Sequence, residues 1–213
     1  MHPALLCDTK PGVNRQQAAA DLAEVRRRLA GVQRFAGFSG VAAVGSGFIG
    51  LCAGAVQGIV APHPHGEAAL HAYLTIWLST LAVALALNYG AVAMWLARNH
   101  GRHALEQSRI AAIAILPSIL FGGALTVALV DAGMWRLLPG VWYGAYAVGL
   151  FASRTLVPGS VVTVAGAFGV GAIALLLPFS AFSLAWWVMP VGFGFAQIAI
   201  GVCLARDRAE AWL

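Results

Sequence analysis

Long apolar runs separated by short polar breaks set the pattern of this chain. Five runs are plain, over residues 36–60, 71–97, 110–130, 157–178 and 184–205, and a shorter sixth, 137–153, is bounded by Arg136 and Arg154. A helix needs about 20 apolar residues to cross a hydrocarbon core of roughly 30 Å. The pattern therefore predicts an all-α membrane fold: six transmembrane helices over residues 36–206, a polar segment before them (1–35) and a short tail after them (207–213). Runs one and two close on "WLAR", three and four on "FASR", and five and six on "CLAR". Each pair ends alike, which suggests three helical hairpins in one orientation.

Within the first run, "SGFIGLCAGAVQG" places a tiny residue at every fourth position: Ser46, Gly50, Gly54 and Gly58, with Ala42 one step earlier. Apolar surface gains nothing by leaving lipid for another helix, so membrane helices associate through close backbone packing, and small residues four apart supply the face for it. A helix-packing seam is the expected role; lining a pore is the alternative. Gly159, Thr163, Ala167 and Gly171 form a similar row in run five. The segment before the first run has another character. Ala18, Leu22, Val25, Leu29 and Val32 alternate steps of four and three, one face of a helix, and Glu24 stands three and four residues before Arg27 and Arg28. An amphipathic cytoplasmic helix over 1–35 is expected, lying on the bilayer, docked on the spans or paired with a partner chain.

Charge settles the orientation the pattern implies. Of 213 residues only 10% are charged and 60% are hydrophobic, against about 25% charged in a soluble domain. The net charge of +5 comes from 13 Lys and Arg residues, and twelve of them lie before run one, between runs two and three, between four and five, or after six. Only Arg136 falls on the opposite side. The positive-inside rule then puts both termini in the cytoplasm, so the basic balance reports topology and implies no nucleic-acid partner. The first run follows about 35 polar residues and is too long for a signal-peptide core.

Candidate chemistry is sparse. "APHPHGEAALHAYL" gathers His63, His65, Glu67 and His71 between runs one and two, a set with the donor types of a zinc-like metal site. A proline-punctuated loop whose histidines meet water explains the same residues. His100 and His103 flank Arg102 in the next polar break, and no histidine falls deep inside a run, which argues against transmembrane haem. Asp131 and Arg136 are expected to pair across the turn "VDAGMWRLLPG". No charge falls mid-run, where ion and proton paths usually show one. The polar residues that remain, Gln57, Asn88 and Gln197, serve either interhelical hydrogen bonds or a polar cavity. Cys7, Cys52 and Cys203 make no disulfide framework. The absence of a nucleophile–base pair, a phosphate loop, paired carboxylates or a CxxC predicts no enzymatic activity and no cofactor.

From "LAEVRRRLAGVQRFAGFSG" through "LARNHG" and "LVDAGMWRLLPGVWYGAYAVGLFASR" to "GFGFAQIAIGVCLAR", and most specifically in "GMWRLLPGVWYGAY" (133–146), the chain resembles a group of bacterial membrane proteins described only as hypothetical multi-span proteins. The resemblance implies six spans in a bacterial inner membrane and brings no catalytic residues with it. The hairpins are also similar in pattern to hairpin-repeat stress membrane proteins, by analogy alone. The expectation is a structural, accessory or regulatory component, in contact with the lipid bilayer and assembling with itself or with another membrane protein. A small transporter or channel for an uncharged solute is the alternative, and a metal binder using the 63–71 cluster comes third.

Overall fold

The computed structural model describes Asp21 and residues 35–99, 101–177 and 182–210, the side chains of His103 and Glu210 excepted. The amphipathic helix expected over 1–35 lies outside these residues, apart from helical Asp21 and non-helical Phe35, and so do His100 and residues 211–213. The described chain is helical, with no strand among the described residues. The elements are α1 (Gly40–Val60), α2 (Glu67–Arg98), α3 (Arg102–Asp131), a 3₁₀ turn at Trp135–Leu137, α4 (Leu138–Ala152), α5 (Gly159–Leu176), a π-helical segment at Pro190–Ala196, and α6 (Gln197–Glu210). Four helices are long and apolar enough to cross a membrane: Gly40–Val60, Glu67–Arg98, Ala104–Asp131 and Gly159–Leu176. At 15 residues, α4 rises only about 22 Å by itself. Residues 207–210 continue α6 instead of forming a tail, because nothing in "ARDRAE" breaks a helix.

Local chemistry sets the boundaries. The Ser39 hydroxyl accepts from the Ala42 N–H at 3.3 Å and caps α1. Gly66, at φ 82°, turns the chain into α2, and Gly133, at φ 69°, turns it out of α3; a side chain at either would be strained. Pro139 sits in the first turn of α4, where its missing N–H is harmless.

The packing follows the small residues. α1 lies between α2 and the last helical run, and α4 lies between α3 and α5, while α2 and α3 barely touch. A Cβ on Gly50 would stand 2.5 Å from the Phe193 carbonyl oxygen, and one on Gly47 2.7 Å from that of Gly194. A Cβ on Gly40 would meet the Gly201 oxygen at 2.6 Å, and a side chain on Gly54 would overlap the Pro190 ring. Gly58 is looser, 3.6 Å from Trp186. The tight positions are thus 40, 47, 50 and 54, not the every-fourth ladder of 42 to 58. Each step of four overshoots a full turn by about 40°, so such a ladder winds off the contact face. At one end of it Ser46 meets α2 instead.

In run five only Gly171 of the small row packs closely, against the Tyr143 ring. Thr163 and Ala167 are exposed and nothing lies near Gly159, whereas α5 buries Val161, Ala165, Phe168, Ala172 and Leu175. Around them Tyr143, Tyr146, Phe168 and Phe193 form a ring cluster with centroids 4.7–5.5 Å apart, joining α4, α5 and the π segment. Such spacings are those of favourable edge and offset contacts.

Gly50→Ala should lower stability by about 1–3 kcal/mol through overpacking, and Gly54→Leu by more. Gly90→Ala, where no atom lies within 4 Å, should cost nothing. Thermal unfolding in detergent checks the contrast, and equal behaviour of Gly50→Ala and Gly90→Ala would remove the seam.

Candidate functional site

The three amides inside the bundle are each engaged with another element. Gln57 is fully buried on α1; its Nε2 donates to the Leu184 carbonyl at 3.0 Å and its Oε1 accepts from Trp77 Nε1 at 2.8 Å. One amide therefore ties α1, α2 and the turn before the last helical run. About three turns along, Asn88 Nδ2 donates to Ser46 Oγ at 2.8 Å and to the Ala84 carbonyl of its own helix. Residue 57 against 77 and 46 against 88 fix α1 and α2 as antiparallel. Gln197 accepts from the Tyr146 hydroxyl, linking α6 to α4. The Tyr143 hydroxyl donates to the Val188 carbonyl at 2.5 Å, and Trp142 Nε1 to Thr126 Oγ1 at 2.8 Å. The tyrosine, tryptophan and threonine partners escape a search for amides and charges. Their signal is an aromatic N–H or O–H inside an apolar run, which needs an acceptor once buried.

The π-helical segment belongs to this network. Pro190 stands in its first turn, where the missing N–H is as harmless as that of Pro139. A side chain at Gly192 would overlap the Tyr143 hydroxyl. The same winding brings the Phe193 and Gly194 carbonyls onto α1.

The four candidate metal ligands do not converge. His71 Nε2 and Glu67 Oε1 lie 3.6 Å apart one helical turn from each other, both exposed, and the His71 ring packs edge-on against Trp135. His63 and His65 instead line a small cavity of about 70 Å³ with Arg136 and Ser183. Among the described residues no group of three or more His, Cys, Asp or Glu side chains assembles a metal site. The separation is local: Gly66 redirects the chain between the two pairs. The expected Asp131–Arg136 pair is likewise absent among the described residues, because Arg136 enters the 3₁₀ turn and lines that cavity. Cys52 and Cys203 are free thiols.

A larger groove of about 430 Å³ runs between α3, α4 and α5, lined by Pro117, Phe121, Leu125, Gly140, Gly144 and Val148 among others. Its walls are apolar, and Gln57, Asn88 and Gln197 line neither this groove nor the smaller cavity. Comparison with protein-family models, with curated proteins and with solved structures finds no match.

Trp77→Phe removes the one N–H among the described residues that Gln57 Oε1 accepts and should cost about 1–3 kcal/mol, the penalty of a buried acceptor left alone. Gln57→Leu with Trp77→Phe should cost less than the two singles together, since they share one bond. Strict additivity in unfolding measurements would show that the bond does not form.

Proposed function

We propose that this chain is a bacterial inner-membrane protein that crosses the bilayer six times in three hairpins with both termini cytoplasmic. It serves as a non-enzymatic structural, accessory or regulatory component of a membrane assembly, built with itself or with another membrane protein. The observation that carries the reading is the engagement of all three intramembrane amides: Gln57, Asn88 and Gln197 each bond to another element of the bundle. A solute path needs polar groups free to exchange partners with the solute along a wetted route. Amides already paired across helices are rigid struts. The one-sided distribution of basic residues supports the topology, and the likeness of residues 133–146 to hypothetical bacterial multi-span proteins supports the compartment.

Cysteine labelling from either side of intact cells tests the topology. Residues 99–108 and 207–213 should react only from inside, and 62–69 and 132–136 only from outside; labelling at position 65 from the cytoplasm would overturn the arrangement.

A second measurement separates scaffold from channel. Asn88→Leu should cost about 0.6–1.7 kcal/mol, the range of interhelical hydrogen bonds in membranes, and leave reconstituted vesicles as impermeable to small neutral solutes as the parent. Solute flux in the parent that falls in Asn88→Leu would replace the scaffold by the solute-channel reading. Cross-linking through a cysteine at exposed Thr163 should give a discrete higher-mass species in native membranes, of this chain alone or with a second membrane protein.

A further inference from the structure

The cavity beside the 61–66 loop adjoins the interhelical network at Leu184, but its polar side chains take no part in that network. Its polar lining residues are His63, His65, Arg136 and Ser183, and no carboxylate is among the residues that form it. Ser183 is 1% exposed, yet its hydroxyl has no hydrogen-bond partner among the described residues. A hydroxyl withdrawn from water normally finds one. Arg136 likewise makes no ion pair among the described residues, and it is the single basic residue that the sequence sets apart from the other twelve. A lone guanidinium, two imidazoles and an unpartnered hydroxyl thus face one space.

We propose that this cavity binds a phosphate oxyanion, presented by the headgroup of an anionic phospholipid or by free phosphate. The guanidinium fork matches the oxygens of a phosphate in a paired, planar geometry, and the hydroxyl and imidazole N–H groups supply further donors. About 70 Å³ is the share of roughly two liquid waters, enough for the oxygen-bearing end of such a group. Trp135, Trp186 and Trp187 flank the cavity residues in sequence, and tryptophan concentrates at the level of lipid headgroups. The site goes beyond the scaffold reading and stands without it, since the donors would hold the oxyanion in a channel as well.

The test uses the full chain in detergent and follows its thermal unfolding midpoint. One arm titrates inorganic phosphate against chloride at matched ionic strength; the other adds phosphatidylglycerol or phosphatidylcholine to the micelles. The parent should show a saturable rise in at least one arm, and Arg136→Gln and Ser183→Ala should need about tenfold more of the probe, the loss of one charge-assisted bond. His71→Gln, outside the cavity, should match the parent. A response to inorganic phosphate identifies a free-oxyanion site, and a response to phosphatidylglycerol alone identifies a lipid site. The proposal is overturned if the parent responds to neither probe, or if Arg136→Gln and Ser183→Ala respond as the parent does. It is also overturned if Ser183→Ala merely raises the midpoint with no change in probe dependence, which would mean that the hydroxyl meets only water.

Discussion

The backbone-to-backbone approach of α1 and the last helical run is the constraint on which the rest of the bundle depends. Apolar side chains lose nothing by facing lipid, so two membrane helices gain most where their backbones come near enough for dense contact. Gly40, Gly47, Gly50 and Gly54 on one side, with Gly194 and Gly201 on the other, leave out Cβ atoms that would collide across the seam. The approach also dictates the winding of the partner. Pro190 stands in the first turn of that run, where a proline is tolerated, and the π-helical stretch it opens carries the Phe193 and Gly194 carbonyls to α1. Phe193, on the same stretch, faces the other way into the ring cluster with Tyr143, Tyr146 and Phe168. The seam and the aromatic core are two faces of one distorted segment.

With α1 fixed there, the hydrogen bonds follow as consequences. Gln57 is held deep enough to reach both Trp77 and the Leu184 carbonyl, and Ser46 is turned far enough off the seam to receive Asn88. In hydrocarbon a polar group without a partner is expensive, so these bonds select the antiparallel register of α1 and α2 more than they add to stability. A one-residue slip would strand both amides at once.

The helical class and the long apolar elements were legible because they rest on composition and run length, which tertiary context seldom overrides. The run 71–97 corresponds to Glu67–Arg98, and 110–130 to Arg102–Asp131. Finer features needed geometry that spacing does not carry. An every-fourth row of small residues looks the same whether it packs or faces outward, and only the structure distinguishes Gly50, closed against a carbonyl, from Thr163, exposed. Gly40 and Gly47 were obscured because they fit a 3.6-residue period, not a strict ladder of four. The wide winding after Pro190 has no periodic signature, for it depends on Gly192 and Gly194 meeting Tyr143 and Leu51 from two other helices. The sorting of His63 and His65 away from Glu67 and His71 turns on one positive-φ glycine, whose conformation the sequence permits without requiring.

The two ends of α1 meet different physical demands. Toward residue 40 the contacts are backbone on backbone, and the Arg208 guanidinium donates to the Ala36 and Phe38 carbonyls that lead into the helix. Toward residue 60 the bundle carries buried polarity: Gln57, Tyr73 with a hydroxyl unpartnered among the described residues, Ser183 and the Arg136 cavity. Close packing tolerates no vacancy, whereas a polar rim can exchange water, ions or headgroups with its surroundings at small cost. Among the described residues, the unpartnered hydroxyls of Tyr73 and Ser183 both lie toward this end, beyond the glycine contacts. Rigidity in the spans and adaptability at the rim are therefore complementary: the seam keeps the rim's donors in register, and the rim can change partners without reopening the seam.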